Sequence, residues 1–326
     1  MVHPIIYRLV FRFGLIAMMP VIVLFSVPES RAVLCAKWSE GEKIGTLDYQ
    51  RLDEASGIAA SQRFPGRLYH VNDSGSGPYF YTTDMNGGKT SPVRIEGFDS
   101  SRSDFEDASA GACFSGKACF FIADIADNNK KRDFVDIIVI EELQDYSRRV
   151  APLKTVKLVY PDRPHNAEGL AVHPNGDIYI FTKEENVDNM EAFPAKLFRI
   201  KKDKWENAGD GEIMLEYLGE LDLSKLNNSD SALESAITSF DIAPDGRRFL
   251  ILTYEDAYEF DIDLSKSGLK PSAELKEGKD YRVIKLTPLP QQESISYVDG
   301  GKGFIYDTEY HFFEVPIMKV ECLDGK

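Results

Sequence analysis

The sequence predicts an all-β fold, a β-propeller of five four-stranded blades closed by a strand from the N-terminal region. Three observations support this prediction: a repeat of about 60 residues, hairpin turns inside each repeat, and no long apolar run with helical periodicity. A six-bladed ring is the alternative, in which one of the longer repeats contains a degenerate blade.

Each repeat opens with a glutamate, followed by a short run of small and apolar residues, a turn with glycine and a β-rich strand. The leading glutamates are 52, 62, 66 and 59 residues apart and are Glu54, Glu106, Glu168, Glu234 and Glu293. Turns such as Pro174-Asn-Gly-Asp177 and Pro244-Asp-Gly246 favour hairpins, because Asn and Gly accept the positive φ of tight reversals. Further strand-like runs bring each repeat to four strands, the number in a propeller blade.

The fifth repeat reaches the end of the sequence after its third strand, predicted at 312–317. We expect residues 43–48 to supply the fourth strand, which would bring the two ends of the domain together. This closure predicts a disulfide between Cys35 and Cys322, and the tight hairpin at 113–119 predicts a second one between Cys113 and Cys119. Free buried thiols are the alternative.

Residues 1–32 have the pattern of a secretory signal peptide. Arg8 and Arg12 form a basic region, 14–27 is apolar, and Ser30-Arg-Ala32 resembles a cleavage site. Residues 33–326 are then a single propeller domain, secreted or periplasmic, where disulfides are stable. A retained N-terminal anchor and a lipoprotein modified at Cys35 are the two other interpretations.

The charge of the chain limits its partners. The formal net charge is −15, and removing Arg8, Arg12, Arg31 and Glu29 with the signal takes away a net +2, which gives −17. We therefore expect no binding to nucleic acid, because a basic stripe that would neutralise phosphates is lacking. The apolar run at 14–27 is shorter than a spanning helix, so we also expect no membrane span after signal cleavage. A divalent cation, a small ligand or a basic protein would suit this charge.

Inner strands start, and second strands end, on the same face of a propeller. The five leading glutamates should therefore meet at the channel mouth and hold a hard divalent cation, Ca²⁺ with Mg²⁺ as the alternative. The ends of the second strands add five predicted ligand-binding residues: Asp73, Asp124, Lys183, Tyr254 and Asp307. Two alternatives remain: Lys183 neutralises the glutamates without a metal, or the glutamates accept backbone N–H groups from the neighbouring blade.

Two histidines fall on the same predicted face and are the candidate catalytic residues. His165 precedes the third inner strand, and His311 follows the second strand of the last blade. Either would act as a general base beside a metal-bound water or substrate, or would be an ordinary surface residue. The sequence contains no Gly-x-Ser-x-Gly elbow, phosphate-binding loop or dinucleotide fingerprint.

Four short runs within residues 50–185 form a shared pattern: Glu54-Ala-Ser-Gly-Ile-Ala-Ala-Ser, Asn72-Asp-Ser-Gly75, Phe105-Glu-Asp107 and Asp124-Ile-Ala-Asp-Asn128. This pattern resembles a group of uncharacterised bacterial secreted propellers. More distantly, the Glu-led inner strand is similar to gluconolactonase- and paraoxonase-type propellers, which hold Ca²⁺ and hydrolyse lactones or esters. Calcium-dependent β-propeller phytases are a comparable precedent. Lys183 and Tyr254 depart from the pure ligand ring that this resemblance implies.

Two hypotheses about function follow. The first is a propeller that binds a divalent cation or ligand at its carboxylate-ringed channel without catalysis. The second is a Ca²⁺-dependent hydrolase of lactones, esters or phosphoesters, in which His165 or His311 moves the proton.

Overall fold

The computed structural model describes residues 34–73, 75, 77–98, 104–186, 188–309 and 314–324. Five β-sheets form a ring in which each innermost strand contacts the innermost strands of the blades on either side. The prediction of a five-bladed propeller is therefore confirmed. The predicted signal peptide at 1–32 and the candidate His311 lie outside the described residues.

The first half of the described chain forms blades 1 and 2, preceded by a strand that belongs to the last blade. That strand is β1 (Glu42–Leu47). Blade 1 contains β2 (Ala55–Ala60), β3 (Arg67–Asn72), β4 (Tyr79–Asp84) and β5 (Ser91–Ile95). Blade 2 contains β6 (Phe105–Cys113), β7 (Lys117–Asp124), β8 (Val135–Glu141) and, after the short β9 (Arg149–Val150) at the edge of blade 1, β10 (Lys154–Val159).

The second half forms blades 3 to 5 and their insertions. Blade 3 contains β11 (Ala167–Val172), β12 (Ile178–Thr182), the side hairpin β13 (Glu185–Asn186) and β14 (Glu191–Ala192), and β15 (Ala195–Ile200). Helix α1 (Lys202–Glu206) follows β15, and β16 (Ile213–Met214) then pairs at the edge of blade 2. The chain returns to blade 3 for its last strand, β17 (Glu216–Leu221).

Helices α2 (Ser224–Asn227) and α3 (Ala232–Ser235) lead into blade 4. Blade 4 contains β18 (Ser239–Ile242), β19 (Arg248–Leu252), β20 (Asp256–Asp261) and β21 (Tyr281–Lys285). Blade 5 contains β22 (Gln292–Val298), β23 (Gly303–Thr308) and β24 (Val315–Glu321).

The ring is closed by an antiparallel pair between the two ends of the domain. Strand β1 pairs with β24, from Glu42 opposite Lys319 to Leu47 opposite Val315. The closing strand was predicted at 43–48 and is observed one residue earlier. A disulfide joins Cys35 to Cys322 beside this pair, and a second joins Cys113 to Cys119 across the β6–β7 hairpin. Both predicted pairings form in the structure.

The hydrophobic core consists of layers between neighbouring blades. Between blades 1 and 2, for example, the rings of Tyr69 and Phe120 stack with centroids 4.3 Å apart. Between blades 3 and 4, Phe181 and Phe240 pack edge to face at 4.9 Å. Each large aromatic pair of this kind adds about 0.5 to 1.5 kcal/mol beyond the burial of its area. Because the blades pack against one another around the ring, the first residues of their inner strands, several of them polar, lie near the central axis.

Side chains of the inner strands also connect the blades. Asp107 of blade 2 accepts the backbone N–H groups of Leu170 at 2.8 Å and Phe240 at 3.3 Å, in blades 3 and 4. Asp241 of blade 4 accepts the N–H of Tyr297 in blade 5 at 2.8 Å. Serines accept similar bonds: Val172 N–H to Ser109, Ile295 N–H to Ser239 and Ala60 N–H to Ser296. The structural role considered for the leading glutamates is thus carried out by aspartates and serines further along the same strands.

The helices of this fold are short. Among the residues that the structure describes, no helix has the length and the apolar composition of a membrane span.

Candidate metal centre

A β-bulge at the start of the inner strand places the glutamates of three blades. The strand pairing skips one residue in blades 1, 2, 3 and 5, and the skipped residues are Ser56, Glu106, Glu168 and Glu293. A bulge changes the direction of a side chain relative to a regular ladder. Glu106, Glu168 and Glu293 are consequently buried, at 7 to 8 % exposure, where the inner strands converge.

The other two leading glutamates occupy different positions. Glu54 lies just before β2 and is exposed, and its carbonyl oxygen accepts the N–H of Asp73 at 2.9 Å. Glu234 lies in α3, where the Ser235 N–H bonds to the Ser231 carbonyl at 2.9 Å. This helical turn delays the entry of the chain into β18 and corrects the expectation that Glu234 leads an inner strand. Its charge acts instead on Lys285 and Tyr258, on the outer strands of blade 4.

In blades 1 and 4 a hydroxyl residue stands in place of a glutamate, at the bulge of blade 1 and just before the first strand of blade 4. Ser56 donates its hydroxyl to the carbonyl of Phe105 at 2.7 Å, and Thr238, which directly precedes β18, donates to the carbonyl of Gln292 at 2.9 Å. Phe105 and Gln292 are each the first residue of the next inner strand. Two of the five blades therefore use this position to join neighbours.

Seven carboxyl groups act on one another electrostatically at this face, and we call them the carboxylate cluster: Glu54, Asp73, Asp104, Glu106, Glu168, Glu293 and Glu309. The tightest part of the cluster is formed by Asp73, Asp104 and Glu106. One carboxylate oxygen from each of these three residues lies within 4.8 Å of the other two.

The pKa values of several cluster residues are raised, because burial and the neighbouring carboxylates disfavour the ionised forms. Burial first, and then the charge of Glu168, raise the pKa of Glu106 and Glu293 well above the ordinary value. Burial and then the hydrogen bond and charge of Asp73 raise the pKa of Asp104 to about 7. Burial and then the charge of Asp73 raise the pKa of Glu309 to about 7. A bound cation would favour the ionised forms of these groups.

Two cations, the buried Lys183 and the partly buried Arg132, lie at the edges of the cluster. Lys183 contacts Glu168 at 2.9 Å, Glu185 at 3.8 Å and the Tyr254 hydroxyl at 2.6 Å. The Arg132 guanidinium contacts Asp124 at 2.9 Å.

The structure separates the five predicted ligand-binding residues into four groups. Asp73 lies inside the cluster, and Lys183 and Tyr254 lie together at its edge. Asp124 binds Arg132 and accepts the backbone N–H of Asp104 at 2.8 Å, so it holds the backbone of one cluster residue in place. Asp307 is fully buried, accepts a hydrogen bond from the Ser294 hydroxyl, and lies 3.8 Å from His70. It belongs to the contact between blades 5 and 1.

The candidate catalytic residue His165 is enclosed by carboxylates. Its side chain is fully buried, with Nδ1 2.6 Å from Glu184 and Nε2 2.9 Å from Asp162. The hydrogen bonds of His165 and Lys130 outweigh burial and lower the pKa of Glu184 to about 2. Both ring nitrogens are thus engaged, and a general base needs a free lone pair directed at its substrate. In this arrangement His165 fixes the loop before β11 to the end of β12.

Sequence reasoning missed Asp104 as a member of the centre. It directly precedes β6 and has no counterpart in the repeat pattern. The available signal was its position two residues before Glu106, because alternate residues of an extended chain point the same way. An oxygen-only set of this kind suits Ca²⁺ or Mg²⁺ better than zinc or copper.

Comparisons with known proteins add similarity of fold. No protein-family model matches the chain, and no curated protein matches it. Among solved structures, the chain is similar to one in the crystal structure of a nidogen/laminin complex, with 12% identity, 78% of this chain and 72% of that chain covered, and a TM-score of 0.41. It is also similar to a gluconolactonase from Xanthomonas campestris, with 8% identity, 86% and 88% covered, and a TM-score of 0.45. Fold similarity at this level does not define function, and the five sheets themselves establish the propeller.

Proposed function

We propose that this protein is a propeller that binds a divalent cation, Ca²⁺ with Mg²⁺ as the alternative, through Asp73, Asp104 and Glu106. The observation that carries the proposal is the approach of their three carboxylate oxygens to within 4.8 Å of one another. Calcium–oxygen distances are about 2.3 to 2.6 Å, so one ion can contact three oxygens only when they are separated by less than about 5 Å. Ca²⁺ takes about six to eight oxygen ligands. The three side chains would supply part of this set, and backbone carbonyls and water would supply the rest.

The charge distribution also supports this position for the ion. Lys183 pairs with Glu168 and Glu185, and Arg132 pairs with Asp124, so both cations bind carboxylates other than the three proposed ligands. Three converging carboxylates repel one another unless they are protonated or share a cation. A divalent ion supplies the missing positive charge.

Binding without catalysis is the function we infer from this site. The nitrogens of His165 are both engaged by carboxylates, which argues against its use as a proton acceptor. A Ca²⁺-dependent hydrolase of lactones, esters or phosphoesters is the second candidate, and it would require a base other than His165. We place the protein in the periplasm or outside the cell, in agreement with its two disulfides.

Thermal unfolding tests the cation site. The purified protein is melted in EDTA and then with increasing Ca²⁺ or Mg²⁺, and the melts are repeated for the Asp104→Asn and Glu106→Gln variants. A ligand that binds only the native state, at 100 times its Kd, stabilises by about 2.7 kcal/mol. We expect this stabilisation in the wild type, its loss in both variants, and its retention in Asp210→Asn, at an exposed loop position before β16. A wild type whose melting temperature responds to no divalent ion contradicts the proposal.

A further inference from the structure

A cavity of about 720 Å³ opens between blades 4 and 5, beside the carboxylate cluster. The side hairpin of blade 3, helix α3, the β19–β20 turn and the segment between β21 and β22 all contribute to its walls. Its volume falls in the range of about 300 to 1,000 Å³ that is typical of small-molecule sites.

One wall of the cavity is apolar. The segment between β21 and β22 supplies Leu286, Pro288, Leu289 and Pro290. Met190 and Leu233 also line the cavity, and they are 46 % and 43 % exposed. Together these leucine, proline and methionine side chains form an apolar surface on which an alkyl chain or an aromatic ring can pack.

The other end of the cavity is polar and carries net negative charge. Lys285 pairs with Asp256 at 2.6 Å, so these two charges offset each other. Glu185 and Glu255 also line this end. Lys183 is closer to Glu168, at 2.9 Å, than to Glu185, at 3.8 Å.

The polar end shares residues with the carboxylate cluster. Tyr254 lines the cavity and accepts the hydrogen bond of Lys183, and Gln291 lines the cavity and donates to Glu309 at 2.9 Å. The negative potential of the cluster therefore extends into the cavity, because a low-dielectric cleft focuses the field of the charges around it.

We propose that this cavity binds an amphipathic organic cation. The ammonium group would lie between Glu185 and Glu255, near the face or hydroxyl of Tyr254, and the alkyl or aryl body would pack on the Leu–Pro wall. A neutral ligand would add no positive charge beside Glu185, whose partner Lys183 is 3.8 Å away, or beside Glu255, and an anion would be repelled by both carboxylates. The inference goes beyond the cation centre, since it uses none of the three proposed metal ligands.

Isothermal titration with three probes that share a phenyl ring and a four-carbon chain tests the charge requirement. The probes are 4-phenylbutylammonium, 4-phenylbutan-1-ol and 4-phenylbutanoate, titrated at low ionic strength in the presence of EDTA. We expect the ammonium to bind about tenfold more tightly than the alcohol, because the partly exposed Glu185 and the exposed Glu255 contribute up to about fivefold each. The carboxylate probe should bind most weakly of the three.

Variants locate the binding site. Glu185→Gln and Glu255→Gln should each weaken ammonium binding by about twofold to fivefold, and Leu233→Ser should weaken binding of both ammonium and alcohol. Glu274→Gln, at an exposed glutamate elsewhere in blade 4, is the matched control and should change nothing.

Three results would overturn the proposal: no binding of the ammonium, equal affinities for all three probes, or unchanged affinity in both glutamate variants. The Asp104→Asn variant separates this site from the cation centre. Ammonium binding that survives in Asp104→Asn supports an independent cavity site. Ammonium binding that is lost in Asp104→Asn and displaced by Ca²⁺ places the ammonium in the carboxylate cluster and contradicts the cavity proposal.

Discussion

The Nδ1 atom of His70 lies 3.8 Å from the Oδ2 atom of Asp307, and both side chains are fully buried between blades 1 and 5. Within the described residues, neither of these two atoms has a hydrogen-bond partner. Burial lowers the pKa of His70 to about 3 and raises the pKa of Asp307 to about 8. At neutral pH the folded protein therefore holds a neutral imidazole opposite a protonated carboxyl group.

This pair predicts a loss of stability as the pH rises from 6.5 to 8. Between about pH 4 and pH 6.5 the unfolded state carries the one proton of the pair on His70, and the folded state carries it on Asp307, so the pH has little effect. Above 6.5 the unfolded state loses its proton, while the folded state keeps its proton until the pKa of Asp307 at about 8. The free energy of unfolding should fall by about 2 kcal/mol across this window.

Urea unfolding of the wild type and Asp307→Asn at pH 6.5 and pH 8.5 measures this effect. Asparagine does not titrate, so we expect the variant to lose most of the decline. Asp145→Asn, at an exposed turn position, should behave as the wild type. A decline of equal size in wild type and Asp307→Asn would show that other groups cause it.

Asp107→Ala is expected to destabilise the fold by about 3 to 5 kcal/mol. The carboxyl group of Asp107 accepts hydrogen bonds from Leu170 and Phe240 in two other blades, and its removal leaves buried N–H groups without an acceptor. Denaturant unfolding measures the change, with Asp210→Ala as the exposed control. A loss below about 1 kcal/mol would mean that water replaces the carboxyl group.

The two disulfides should differ in their contribution to stability. The Cys35–Cys322 bond closes a loop of 287 residues, whereas Cys113–Cys119 closes one of 6 residues. Loop-closure entropy predicts roughly 6 kcal/mol for the first and roughly 2 kcal/mol for the second. Paired Cys→Ser variants, compared by thermal unfolding, test this order. Equal losses would indicate that the β1–β24 pair holds the ends together in the unfolded ensemble.

The sequence was sufficient for the architecture because its repeat and its hairpin turns are local signals. The closing strand and the Cys35–Cys322 bond followed from counting the strands of the last blade. Glu234 could not be placed in this way, because a short helix between blades moves the start of β18 to Ser239, beyond the glutamate. The enclosure of His165 was equally hidden, since Glu184 and Asp162 come from separate segments that meet only in the folded chain.

Asp107 shows the same limit for the structural role that the glutamates were expected to perform. A glutamate followed by an aspartate at the start of a strand does not indicate which of the two turns inward. The bulge in β6 decides it, by placing Glu106 in the cluster and Asp107 against two other blades.

Lys183→Met provides the last prediction, because it removes the positive charge next to the carboxylate cluster. In EDTA we expect a loss of about 3 to 5 kcal/mol in the free energy of unfolding, since Glu168 loses its partner inside the protein. Calcium should restore more stability to this variant than to the wild type. Even with the screening of bulk water, a unit charge at close range changes the binding energy of a nearby ion by about 1 kcal/mol or more.

Calcium titrations of the melting temperature test this prediction. They are run side by side for the wild type, Lys183→Met and Lys196→Met. Lys196 pairs with Asp162 at 2.7 Å, away from the three proposed ligands, and its variant should respond to calcium as the wild type does. A tighter calcium response in Lys183→Met alone would place the ion in the field of the cluster. Identical responses in all three proteins would mean that any bound calcium lies elsewhere, because an ion beside Asp73, Asp104 and Glu106 must sense the charge that neutralises Glu168.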